Sequence, residues 1–136
     1  MICLDSSLAI DYLEGEAYVE DLFAELTDPV AVPRIVRYEL YVGALRSTDP
    51  TKTIAAVDRA LSWTQTLEFT DAAARETARI RAGLLDRGDV IGAADTLIAG
   101  TAREVGATLL TLDDDFERVP NLQLRVIDPT APDESD

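Results

Sequence analysis

The sequence predicts an α/β fold, a mainly parallel sheet covered by helices on both faces. Short, nearly continuous apolar runs alternate with longer stretches of helical periodicity, the pattern of successive βαβ units. The 136 residues suffice for one domain with its own core, 47% of them are hydrophobic, and no repeat or linker divides them.

Met1–Leu4 reads as a buried strand, followed by Asp5 and two serines. Ser6 or Ser7 is expected to cap a helix through about Leu13, ended by Gly15. Glu16–Leu26 is amphipathic, with Val19, Leu22, Phe23 and Leu26 at helical spacing. Asp28-Pro29 turns the chain into a strand over Val30–Val32, stopped by Pro33. Helices are expected over Arg34–Ser47 and, capped by Thr51, through about Trp63. Thr66–Phe69 is the third strand. Thr70 or Asp71 caps a helix to about Arg87, broken by Gly88. Ile91–Gly106 is a helix rich in Ala and Gly, a composition suited to tight packing on a sheet. Ala107–Leu112 and Gln123–Ile127 are the last strands. The domain is expected to span residues 1–128, with 129–136 an acidic, frayed tail.

Composition excludes several chemistries. The chain has no histidine, which removes Ser-His-Asp and Cys-His catalysis and the usual His/Cys zinc sites. Cys3, the only cysteine, lies in the first apolar run and reads as a small buried hydrophobe. A lone cysteine forms no intrachain disulfide, which fits the reducing cytoplasm. No apolar run approaches the ~20 residues that span a bilayer. The N-terminus lacks a basic segment before its apolar run, so no signal peptide is expected. P-loop and GxGxxG motifs are absent. An EF-hand starting at Asp113 would need Gly and Glu where Arg118 and Leu124 stand.

Net charge is −14, and of the 12 basic residues only Lys52 is a lysine. Such a chain repels nucleic acid at low salt, and at ~1 M salt, where the Debye length is ~3 Å, the repulsion nearly vanishes. Acid-rich, lysine-poor composition suggests a salt-accumulating, halophilic source.

Four acids stand where hydrophobic elements stop or turn. Asp5 and Asp113 follow strands and belong at the carboxyl edge of the sheet, where such folds bind ligands. Glu39 lies beside the apolar stripe of the third helix, with Gly43 one turn on leaving room above it. Asp95 sits among small and apolar residues in GAADTLIAGTA, where an unpaired charge would cost several kcal/mol. Asp113, Asp114 and Asp115 repel one another unless a positive charge sits among them; Asp115 is an additional or alternative ligand to Asp113. With histidine absent, any metal here takes oxygen ligands, which points to Mg²⁺ or Mn²⁺. Arg34 and Arg37, one turn apart, are candidates for holding phosphates.

The stretches ICLDSS, YELYVGAL, IGAADTLIAGTA and TLLTLDDDFERVPNLQL, in this order and at these separations, resemble PIN-domain proteins, above all the VapC toxins of type II toxin–antitoxin systems. The resemblance implies a three-layer α/β/α sandwich and a Mg²⁺- or Mn²⁺-dependent ribonuclease. It places the family's catalytic quartet on Asp5, Glu39, Asp95 and Asp113, and supporting hydroxyls on Ser7 and Thr111. Asp5, Asp95, Asp113 and Asp115 are then the expected metal ligands. A cognate antitoxin, an RNA substrate and a homodimer are the implied partners. Two other classes compete: a PIN-like module that binds RNA or a partner without cutting, and a different metal-dependent nuclease or phosphohydrolase.

Overall fold

The computed structural model describes residues 1–130; the acidic tail expected over 129–136 falls, from residue 131 on, outside the described residues. Five strands, β1 (Ile2–Leu4), β2 (Val30–Pro33), β3 (Gln65–Leu67), β4 (Thr108–Thr111) and β5 (Leu124–Val126), form one sheet in the order β3-β2-β1-β4-β5. Every neighbouring pair is parallel. β1 and β2 are buried at every residue, as expected of inner parallel strands covered on both faces, whereas the edge strands β3 and β5 carry the polar residues.

Among the described residues six α-helices complete the fold: α1 (Ser6–Leu13), α2 (Ala17–Glu25), α3 (Arg34–Leu45), α4 (Pro50–Ala60), α5 (Asp71–Arg87) and α6 (Ala93–Val105). Right-handed crossovers send the connections β1–β2 and β2–β3 to one face of the sheet and the connection β3–β4 to the other. The strand order therefore reverses between β1 and β4. The core runs through this junction, with Leu4, Leu8, Val36, Ile98, Leu109 and Leu110 wholly buried. A short 3₁₀ helix (Asp114–Arg118), which no periodicity predicts, follows β4 and is pinned by Phe116, 1% exposed. Burying that ring contributes roughly 2–3 kcal/mol.

Several local expectations are corrected. Asp5, not Ser6 or Ser7, caps α1, accepting from Leu8 N at 3.0 Å. Asp49 caps α4 through Lys52 N, because Pro50 at the first helical position moves the start ahead of Thr51. α4 ends at Ala60, which frees Trp63 to pack against Tyr12 and Phe23. α6 starts at Ala93 rather than Ile91, and Ile91 joins the core instead. Thr70 caps α5 as expected, and Gly88 ends it at φ +64°.

The small residues of α6 serve a helix partner as well as the sheet. A Cβ on Gly100 would lie 1.9 Å from Thr77 Oγ1 and 2.8 Å from Thr77 Cα on α5. A Cβ on Gly83, within α5, would meet nothing within 4 Å. The same substitution should thus have opposite signs at the two sites. We expect Gly100→Ala to destabilise by about 1–3 kcal/mol and Gly83→Ala to stabilise by about 0.5–1 kcal/mol. Urea unfolding of the two variants checks this.

Candidate metal centre

The site is built where the strand order reverses. β1 and β4 end side by side, and Asp5 N donates to Leu110 O at 3.2 Å as the chain leaves the sheet. Asp5 is 3% exposed. Its carboxylate accepts from Leu8 N and from Ser7 Oγ, which lies 2.8 Å from each carboxylate oxygen. Thr111 Oγ1, at the end of β4, also donates to it. Both hydroxyls accept in turn: Ser7 from Leu112 N at 3.2 Å, Thr111 from Asp113 N at 3.0 Å. Asp5 thus joins the two strand ends through side chains, and most of its acceptor capacity is already committed.

The other acids arrive from three elements. Glu39 projects from the first half of α3 and accepts from Ser6 Oγ at 2.5 Å. Asp95 occupies the first turn of α6. Asp113 caps the 3₁₀ helix, accepting from Asp115 N at 2.9 Å. Asp113, Asp114 and Asp115 each present a carboxylate oxygen, and these lie within 4.8 Å of one another.

Asp5, Glu39 and Asp95 stand outside that close group, and the other acids act on Asp95 through their charges. The Asp95 pKa rises from 3.8 to about 6, first through burial, then through the charges of Asp113, Asp5, Glu39 and Asp115 in that order. The α6 dipole favours a carboxylate in the first turn, and crowding outweighs it. Burial, against the hydrogen bonds from Thr111, Leu8 and Ser7, also raises Asp5, with a contribution from Asp113. Burial pushes the Cys3 thiol up to about 12, so it is inert, as expected.

Among the described residues no ion pair reaches Asp5, Glu39, Asp95 or Asp113, and of the acids after β4 Arg118 approaches Asp115 alone, at 3.5 Å. Uncompensated carboxylates with oxygen donors alone suit a hard divalent cation. Nitrogen and sulfur donors play no part, since the chain lacks histidine and Cys3 is buried in the core.

The two arginines separate. Arg34 is exposed and pairs with Glu68 at 2.5 Å. Arg37 is buried, its Nη2 3.4 Å from Thr64 Oγ1 and its Nε without a partner, so it does not face a substrate. Its position on α3 turns it toward the α4–β3 connection. Sequence reasoning did not find Ser6 as the partner of Glu39, nor Arg118 beside Asp115. The first was read as a cap, and the second carries no local signal.

Residues 2–122 match the PIN domain family. The chain belongs to it. Within it the chain belongs with the VapC proteins. Ribonuclease VapC19 of Mycobacterium tuberculosis is 34% identical over 128 residues, which are 90% of this chain and 98% of that protein. The tRNA(fMet)-specific endonuclease VapC of Salmonella typhimurium is 29% identical over 123 residues, 89% of this chain and 93% of that protein. The crystal structure of VapBC2 from Rickettsia felis, bound to a promoter DNA fragment, superposes with a TM-score of 0.88 at 27% identity, covering 94% of this chain and 100% of that one. The PIN-domain sandwich expected from the four motifs is the observed fold.

The raised pKa of Asp95 sets a sign. The folded PIN domain holds a proton there that the unfolded chain has released. The stability this confers on the metal-free protein is present below pH 3.8 and is lost as pH rises through about 6. We expect Asp95→Asn to stabilise the metal-free protein at neutral pH by roughly 1 kcal/mol, a value discounted because Asp95 is only half-buried and solvent screens it. That gain should shrink toward zero below pH 3.8. Thermal unfolding in EDTA across this pH range measures it.

Proposed function

We propose that this PIN domain, residues 1–128, is an endoribonuclease that uses Mg²⁺ or Mn²⁺ to hydrolyse RNA phosphodiester bonds and acts as the toxin of a toxin–antitoxin pair. The observation that carries the reading is the placement of Asp5 and Asp113 at the ends of β1 and β4, the switch point of the sheet, with Asp95 and Glu39 near enough for their charges to act on one another. The relatives' names point the same way: an endonuclease acting on tRNA(fMet) and a ribonuclease.

The residues divide the work. Asp95 and Asp113 hold the ion, with Asp115 as a further ligand. Asp5 offers its one remaining acceptor direction from a fixed orientation, set by Ser7, Thr111 and Leu8 N. Ser6 orients Glu39, which then accepts the proton of the attacking water. When bound, the ion activates that water and offsets charge developing on the phosphate. Arg34, at the carboxyl end of β2, lies on the same edge and can exchange Glu68 for a phosphate.

A protein partner is part of the proposal. An apolar cleft of about 440 Å³ between α1, α3 and α4, lined by Ile10, Leu13, Leu40 and Val57, runs up to Glu39. The Rickettsia felis and Salmonella typhimurium structures are VapBC assemblies. We propose that an antitoxin covers this face and that the toxin pairs with a second copy of itself. No helix among the described residues is long and apolar enough to cross a membrane. A halophilic source is part of the same reading, resting on the net charge of −14.

Three outcomes are expected. Mn²⁺ should raise the thermal midpoint of the wild-type protein, by an amount growing with the logarithm of its concentration above Kd. It should leave that of Asp95→Asn nearly unmoved. Structured RNA should be cut in Mn²⁺ and not in EDTA, DNA and small phosphomonoesters should compete poorly, and Asp5→Asn and Asp95→Asn should each lower kcat at least about 100-fold. The midpoint in EDTA should rise steeply as KCl goes from low salt to ~1 M, where surface repulsion is screened; a flat response would remove the halophilic reading.

A further inference from the structure

Two acid-bearing pieces of the site have no covalent reason to stay together. Asp95 rides on the start of α6, reached through the turn from Gly88 to Gly92. Asp113 and Asp115 ride on the segment after β4. The charges they carry repel. Phe116 anchors the second piece in the core, and Thr111 holds the Asp113 backbone. Neither grips the Asp115 side chain.

Arg118 spans the gap. Each of its three guanidinium nitrogens faces a different partner. Nε lies 3.4 Å from Asp89 Oδ1, and Nη2 lies 3.5 Å from Asp115 Oδ1. Nη1 donates to Val90 O at 3.2 Å. Arg87, the last residue of α5, donates to Arg118 O at 2.7 Å and approaches Asp89 at 4.0 Å. Two arginines and one aspartate therefore tie the turn that leads into α6 to the 3₁₀ helix that carries Asp115. None of these contacts touches Asp5, Glu39 or Asp95.

We propose that Arg118 is a positioning residue for the metal centre: by clamping Asp89 and Val90 to Asp115, it holds the α6 and post-β4 ligands at the separation a cation requires. The inference rests on the metal-dependent reading above. A planar guanidinium can hold three partners in fixed directions, and a lysine ammonium at the same place cannot. Partners of this kind orient ligands that would otherwise be left to thermal motion.

The proposal makes a prediction opposite to that of simple electrostatics. Removing a positive charge beside Asp115 should by itself tighten cation binding. Loss of positioning should weaken it. Mn²⁺ binding to the full chain, followed by titration calorimetry, decides between them. We expect Arg118→Gln to raise the Mn²⁺ Kd about tenfold, Arg118→Lys to fall short of restoring it, and Asp89→Asn to weaken binding alike. The double variant Arg118→Gln/Asp89→Asn should be no worse than either single one, since both break the same clamp. Thermal midpoints in EDTA should stay close to wild type, as exposed ion pairs contribute little to global stability. Arg118→Gln binding Mn²⁺ as tightly as wild type, or tighter, overturns the inference and leaves the metal site standing. A wild-type protein that binds no Mn²⁺ overturns both. Should Arg118→Gln not fold, Arg118→Lys carries the test: it keeps the charge, so electrostatics alone leaves the Mn²⁺ Kd unchanged, and loss of the three-way contact raises it.

Discussion

The buried carboxylate of Asp5 is the constraint on which the rest of the structure depends. It caps α1 through Leu8 N, and through Ser7 and Thr111 it joins the end of β1 to the end of β4. Those two strands flank the point where the sheet reverses its order. A crevice opens there in any parallel sheet, since neighbouring connections leave in opposite directions. Here the crevice is closed below by one side chain that is 3% exposed. Burial alone would expel an ionised group, and three donors oppose that. The hydroxyls that stabilise Asp5 also accept the amides of Leu112 and Asp113, so the backbone that presents the next acids is set by the same contacts.

From this anchor the site accumulates charge faster than it neutralises it. Asp95 stands in the first turn of a helix, a place that ordinarily lowers a carboxyl pKa, yet burial, and after it the charges of its neighbours, push it to about 6. A fold selected for stability alone would place an amide there. The destabilisation is local and has a direction: a cation relieves it and a proton relieves part of it. On the metal-dependent reading stability and ligand binding would be opposed at Asp95, as is common where a site is held in a conformation that its own charges disfavour. Behind it, outside the crevice, Asp89 stands 3.4 Å from Arg118 and 4.0 Å from Arg87.

The architecture was legible in the sequence because buried parallel strands leave continuous apolar runs, and β1, β2 and β4 do so in ICL, VAV and TLLT. The candidate acids stood out for a related reason, since each breaks an apolar pattern. What was not legible depends on distance. Three adjacent residues, Asp5, Ser6 and Ser7, can all cap a helix. The choice falls to Asp5 while its hydroxyl partner Thr111 is contributed from 106 positions away. The serines then take other work, Ser7 on Asp5 and Ser6 on Glu39. Arg34 and Arg37 look equivalent at helical spacing, but three residues turn a helix by most of a revolution, and Arg37 faces inward. The 3₁₀ helix has too few residues for a period, and its one fixed point is Phe116. Gly100 reads as a generic small residue until Thr77 is found against it.

The overall charge bears on how a polyanion could reach such a site. At −14 the chain as a whole repels nucleic acid at a distance, and two arginines of the sheet's carboxyl edge already face carboxylates: Arg34 meets Glu68, and Arg118 meets Asp89 and Asp115. A phosphate approaching the bare crevice would meet five carboxylates. Its own charge and theirs exclude contact until a cation offsets them. On the metal-dependent reading, a bound cation would do two things at once: relieve the repulsion that adds to burial in raising Asp95, and offset part of the negative charge that a phosphate would meet. Among the described residues no side-chain cation pairs with Asp5, Glu39, Asp95 or Asp113, so on that reading the cation would have to precede the phosphate, and a basic group from a partner would compete with it.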